Sequence, residues 1–79
     1  MKNNQDISCK IVEELLVIEE RNAGWNLELN VVSWNDETPK YDIRPWNEDH
    51  SKCGKGITLT EDNLKALVNY CNDNMVQAI

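Results

Sequence analysis

Residues 25–35 read Trp25-Asn26-Leu27-Glu28-Leu29-Asn30-Val31-Val32-Ser33-Trp34-Asn35, and residues 40–46 read Lys40-Tyr41-Asp42-Ile43-Arg44-Pro45-Trp46. In the first run Trp25, Leu27, Leu29 and Val31 alternate with Asn26, Glu28, Asn30 and Val32, the period of two expected of a half-buried strand. The second alternates as well, with Tyr41 and Ile43 on one side and Lys40, Asp42, Arg44 and Trp46 on the other. Between them Asn35, Asp36 and Pro39 are turn formers. The pair therefore reads as an antiparallel hairpin.

Outward from this hairpin the signals differ in strength. Lys10 to Glu20 (KIVEELLVIEE) places Ile11, Leu15 and Ile18 at helical spacing, yet its β-branched residues and two apolar faces also suit a strand. Periodicity leaves both open. Arg21 to Gly24 reads as a turn in which Asn22 and Gly24 can take positive φ. After Trp46 a polar loop, Asn47 to Lys52, leads through Gly54-Lys55-Gly56 to a short strand, Ile57 to Leu59. The last element is a helix with Thr60 as N-cap and Glu61 and Asp62 in its first turn. Leu64, Leu67, Val68, Cys71 and Met75 form its apolar stripe. With the first segment as a strand, the fold is α+β, four antiparallel strands and one helix, and that helix can cover one sheet face. Residues 1–6 are polar and read as a disordered lead; 7–79 form a single domain.

The chain has 79 residues, so one small core, and a second subunit would add to its stability. Lys and Arg number 8 against 14 Asp and Glu, a net charge of −6. That excludes a uniformly basic surface of the kind that grips phosphates everywhere. The signs are uneven, however. Residues 1–39 hold 3 basic and 8 acidic side chains, whereas Lys40, Arg44, Lys52 and Lys55 cluster in the middle. Cys9, Cys53 and Cys71 have no C-x-x-C spacing, which suits a reducing cytoplasm. No apolar run reaches the roughly 20 residues of a membrane span.

Strict alternation puts Trp34 with Asn26, Glu28 and Asn30, and Trp46 with Lys40 and Arg44. Both indoles then fall on the polar face, away from the helix. Aromatic rings beside basic side chains form a base-stacking platform. The competing reading is that tryptophan in so short a chain is core, with a β-bulge turning Trp34 inward. Trp25, in line with Leu27 and Leu29, is expected in the core. Lys40, Lys52 and Lys55 could equally serve as solubilising strand-end charges. Gly54 and Gly56 would let a phosphate approach the backbone around Lys55. This is not a nucleoside-triphosphate loop, because Asp49 and Gly56 stand where a glycine and a hydroxyl residue would be needed. His50 and Cys53 have a spacing that could bind metal, but no further ligands are evident. No enzyme, cofactor or metal is expected.

The same residues resemble the transcriptional positive-coactivator family. Tyr41-Asp42-Ile43-Arg44 with Trp46, followed by Gly54-Lys55-Gly56-Ile57-Thr58-Leu59, is similar to its core motif. Ser33-Trp34-Asn35 through Leu59 resembles the bacterial YdbC-like branch most, and Glu28-Leu29-Asn30 also fits it. The resemblance, from Lys10 to about Tyr70, implies a homodimer of ββββα protomers that binds single-stranded DNA with little sequence preference, and it makes the first segment a strand. By position it implies Trp34 as the stacker, Arg44 and Trp46 as third-strand contacts and Lys55 as a phosphate contact, with Lys40 and Lys52 added by location. RNA is the other candidate ligand, and transcription machinery a candidate partner. The alternative function is a protein-interaction adapter that uses the acidic half or the tryptophan face.

Overall fold

The computed structural model describes residues 8–74. Four strands run in chain order as an antiparallel meander: β1 (Cys9–Glu20), β2 (Asn26–Trp34), β3 (Lys40–Trp46) and β4 (Ile57–Leu59). A helix, α1 (Glu61–Asn74), follows. The expected ββββα order is thus the observed one. The disordered lead expected at 1–6, and Met75 of the helical stripe, lie outside the described residues.

β1 is a strand, and an irregular one. Its twelve residues pair with the nine of β2, from Cys9 opposite Trp34 to Glu20 opposite Asn26, and the surplus is taken up in three register shifts. Each bulge bends its strand and increases the local twist. The backbone amide of Leu15, within the second irregularity, donates to Asn30 Oδ1 at 3.3 Å. A side chain on β2 therefore replaces a ladder bond that the bulge has broken.

The turn into β2 is a single 3₁₀ turn, Asn22–Gly24, closed by Arg21 N–H to the Trp25 carbonyl at 2.7 Å. Positive φ falls on Ala23 and Gly24, not on Asn22 as the residue types suggested. The β2–β3 connection uses the left-handed region at Asn35 and Asp36, both residue types that tolerate it. Register is regular from there. Asn30 faces Asp42, Glu28 faces Arg44, and Tyr41 faces Leu59.

The helix begins with a reciprocal cap. Thr60 Oγ1 accepts from the Asn63 amide at 3.0 Å, and Asn63 Oδ1 accepts from the Thr60 amide at 3.1 Å. This is a capping box with asparagine in the place usually taken by Glu or Gln. Beyond the cap the apolar stripe, expected as a dimer or core face, is not covered within the protomer. α1 packs mainly on β3 and the three-residue β4, and it buries none of its residues. Leu64 is half-buried, while Leu67, Val68 and Cys71 are exposed. So short a strand offers too little surface to cover a fourteen-residue helix.

The sheet faces are also reversed in exposure. Alternation assigned the side chains to faces as the register has them. The polar set, Glu28, Asn30, Asp42 and Trp46, is buried with Val32, whereas Leu27, Leu29, Val31, Tyr41 and Ile43 of the other set are only half-buried. We call these the inner and outer faces.

Candidate nucleic-acid interface

The inner face is organised around one carboxylate. Asp42 has no exposed surface. Its Oδ1 accepts from Arg44 Nε at 2.6 Å, and its Oδ2 accepts from Arg44 Nη2 at 2.8 Å, Thr58 Oγ1 at 3.0 Å and Trp34 Nε1 at 3.3 Å. In a strand, residues i and i+2 share a face, so Asp42 and Arg44 meet without any distortion. The bidentate fork is the strong form of this pair, and hydrogen bonding to Asp42 raises the Arg44 pKa above its ordinary value. The guanidinium carbon lies 4.6 Å from the centre of the Trp34 ring. Arg44 and Trp34 are therefore a stacked cation–aromatic pair held in place by one buried anion.

A second chain of bonds crosses the same face. Asn30 Nδ2 donates to Glu28 Oε1 at 2.9 Å, and His50 Nε2 lies 2.9 and 3.1 Å from the two Glu28 oxygens. His50, at a positive φ, sets its ring 5.7 Å from that of Trp46. The loop carrying it is tightly tied. The Asn47 amide donates to the Lys52 carbonyl at 3.0 Å, and Asn47 Oδ1 accepts the Lys52 amide at 2.9 Å. Ser51 completes the tie: its side chain first, and its amide donating to Asp49 Oδ1 at 3.0 Å, hold that carboxyl below its usual range.

This loop corrects the reading of Trp46 as an exposed stacker. The indole is on the inner face, as alternation required, but it is only 4% exposed. After Trp46 the chain doubles back to bridge Cys53, and the His50 ring stands tilted against the indole. The indole N–H has no hydrogen-bond partner among the described residues. Trp25 needs the opposite correction: expected in the core, it is half-buried and lines surface clefts near Pro45 and Glu48.

Trp34 keeps partial exposure. With Arg44 and the rim of Trp46 it lines a cleft of about 370 Å³ completed by Cys9, His50, Ser51 and Cys53. Lys40, Lys52 and Lys55 are all exposed, none of them lining the cleft. Gly54 and Gly56 turn out to be packing residues. A Cβ at Gly54 would strike the Pro45 ring, and one at Gly56 would collide with Arg44 and the Ile43 carbonyl. Only glycine lets this segment lie against β3, leaving Lys55 outside.

Asp42, Glu28, Asn30, Thr58 and His50 were not among the expected site residues. Asp42 had a readable signal, an opposite charge two residues away on one strand face. His50 had none, because loop closure is not periodic. Among the described residues no group of three or more His, Cys, Asp or Glu could hold a metal ion. No described helix is long and apolar enough to cross a membrane.

A curled antiparallel meander with an aromatic–cationic cleft on its inner face and a terminal helix defines a small α+β binding module. Residues 21–70 match the Transcriptional Coactivator p15 (PC4) family, and the chain belongs to that family. The match opens at Arg21, so it leaves β1 out. An uncharacterised protein of Treponema pallidum (strain Nichols) is 41% identical over 69 residues, 87% of this chain and 81% of its own.

Proposed function

We propose that this protein binds single-stranded DNA with little sequence preference, as a transcription cofactor or genome-maintenance factor of the bacterial YdbC-like branch, and not as an enzyme. Membership of a transcriptional-coactivator family supports this, but the observation that carries it is the Trp34–Arg44 pair at the mouth of the inner-face cleft. A base stacked against that pair is worth about 1–3 kcal/mol and can be any base. Arg44 supplies orientation more than free charge, because Asp42 already neutralises it. Phosphate contact falls to Lys40, Lys52 and Lys55. Trp46 contributes its rim, and the rest of its ring only if the 47–53 loop lifts.

The working unit is a homodimer. Its contact surface is the apolar set left exposed on β1 and α1, from Val12 and Leu16 to Leu67 and Val68. Three exposed lysines on each of two protomers give about six phosphate contacts, and log K should fall against log salt with a slope of roughly −4.

The test is a fluorescence titration with a thymine-only oligonucleotide and a matched duplex. Salt-reversible quenching by the single strand, far stronger than by the duplex, is expected. Absence of quenching at low salt would overturn the reading in favour of a protein-binding adapter. Tighter binding of the matching RNA would make RNA the ligand.

A further inference from the structure

Two thiols line the cleft, and its use in nucleic-acid binding gives neither of them a role. Cys9 begins β1 directly opposite Trp34, which places it on the inner face at one rim. Cys53 bridges Trp46 from the far side of β3, which places it on the same face at the other rim. Both cysteines line a single cleft together with Trp34 and Arg44. We propose that Cys9 and Cys53 form a peroxide-sensitive thiol pair whose disulfide closes the cleft over Trp34 and Arg44. This rests on the cleft being the oligonucleotide site. In a reducing compartment disulfides of this kind are transient and sensory, not structural.

The differences between the two thiols assign the order of events. Cys53 is exposed and lies beside the Arg44 guanidinium. Cys9 is half-buried, and burial together with the neighbouring sulfur and Asp42 pushes its thiol up. Cys53 therefore meets hydrogen peroxide first. Its sulfur attacks one peroxide oxygen, an S–O bond forms as the O–O bond breaks, and the departing hydroxide takes the thiol proton as water. The sulfur of Cys9 then displaces hydroxide from the Cys53 sulfenic acid, and the S–S bond replaces the S–O bond. A second water carries away the Cys9 proton. Two thiols and one peroxide give one disulfide and two waters, with two electrons passing from sulfur to oxygen. A resolving thiol held in the same cleft needs little intrinsic reactivity, because it is presented at a high local concentration.

The experiment treats the full-length protein with hydrogen peroxide and maps its disulfides by mass spectrometry without reduction. A Cys9–Cys53 linked peptide is expected, with loss of both thiol hydrogens from the intact protomer. Sulfinic acid on Cys53 with Cys9 still alkylatable, or a bridge made only through Cys71, overturns the pair. Binding is then measured with a thymine-only oligonucleotide. The oxidised protein should bind about tenfold more weakly, the loss of roughly one stacked base, and dithiothreitol should restore it. Cys9→Ser and Cys53→Ser, each compared with its own untreated affinity, should change less than about twofold on peroxide treatment. A mapped bridge that leaves affinity unchanged overturns its role as a closure. Should the reduced protein bind no oligonucleotide, the nucleic-acid reading fails, while the mapped peptide still decides whether the thiols pair.

Discussion

The inner sheet face buries polar side chains, whereas β1 and α1 leave apolar side chains exposed. On the inner face Asp42, Asn30 and Glu28 are at most 5% exposed, and every one of them is hydrogen-bonded to another side chain. On β1 and α1, Val12, Leu16, Leu67 and Val68 are about half exposed. The contrast teaches that alternation sorts side chains into faces without saying which face is wet. Curvature decides that. Three bulges in β1 curl the sheet, and the 47–53 loop closes over what remains. Polar groups then survive inside because they satisfy one another, while apolar groups outside await a second surface.

The sharpest way to break this comparison is to remove the anion at the centre of the inner face. Asp42→Ala leaves Arg44 without its partner and frees the Trp34 and Thr58 donors. Breaking a buried ion pair from one side costs about 3–5 kcal/mol, a large part of the stability of a small domain. Urea denaturation of the variant should show that loss. A cost below about 1 kcal/mol, the range of exposed pairs, would mean that the inner face is wet after all.

Much of this was legible in the sequence, and the missing parts share a cause. β3 and β4 fall at their expected residues, and the helix starts at its expected cap, because alternation and capping are local signals. The face of Trp34 and Trp46 was legible for the same reason. The burial of Trp46 was not, since it depends on His50 reaching back to Glu28, 22 residues away in the chain. Likewise the glycines flanking Lys55 looked like a phosphate approach. Their need comes from β3 lying beneath them, a contact with no sequence period. The helix stripe was legible as a face to be covered, but an amphipathic pattern does not record by what, and within the protomer Leu67 and Val68 stay exposed.

Trp34→Ala probes the same face at its open end, where a smaller effect is expected. The indole makes one long bond to Asp42 and is partly exposed, so the fold should survive with a stability loss of about 1 kcal/mol. Oligonucleotide affinity should fall by about 1–3 kcal/mol. Circular dichroism and the fluorescence titration separate the two outcomes. An unfolded variant would make Trp34 a core residue and the inner face closed throughout.

The smallest expected effect lies on the apolar surface and is the most discriminating there. Leu67 is 50% exposed in the protomer, so Leu67→Ala should change the stability of a dissociated chain by no more than about 0.5 kcal/mol. If that leucine is covered by a second copy, truncation should weaken the dimer by more than about 1 kcal/mol. The two statements are reconciled by concentration, because the stability of a dimer rises with protein concentration and that of a monomer does not. Sedimentation of the parent chain at micromolar concentration should show a dimer. The difference between variant and parent in denaturation should then shrink on dilution toward the monomer. A concentration-independent monomer would leave the apolar residues of β1 and α1 exposed in solution, and the contrast between the two surfaces would need a partner other than a second copy.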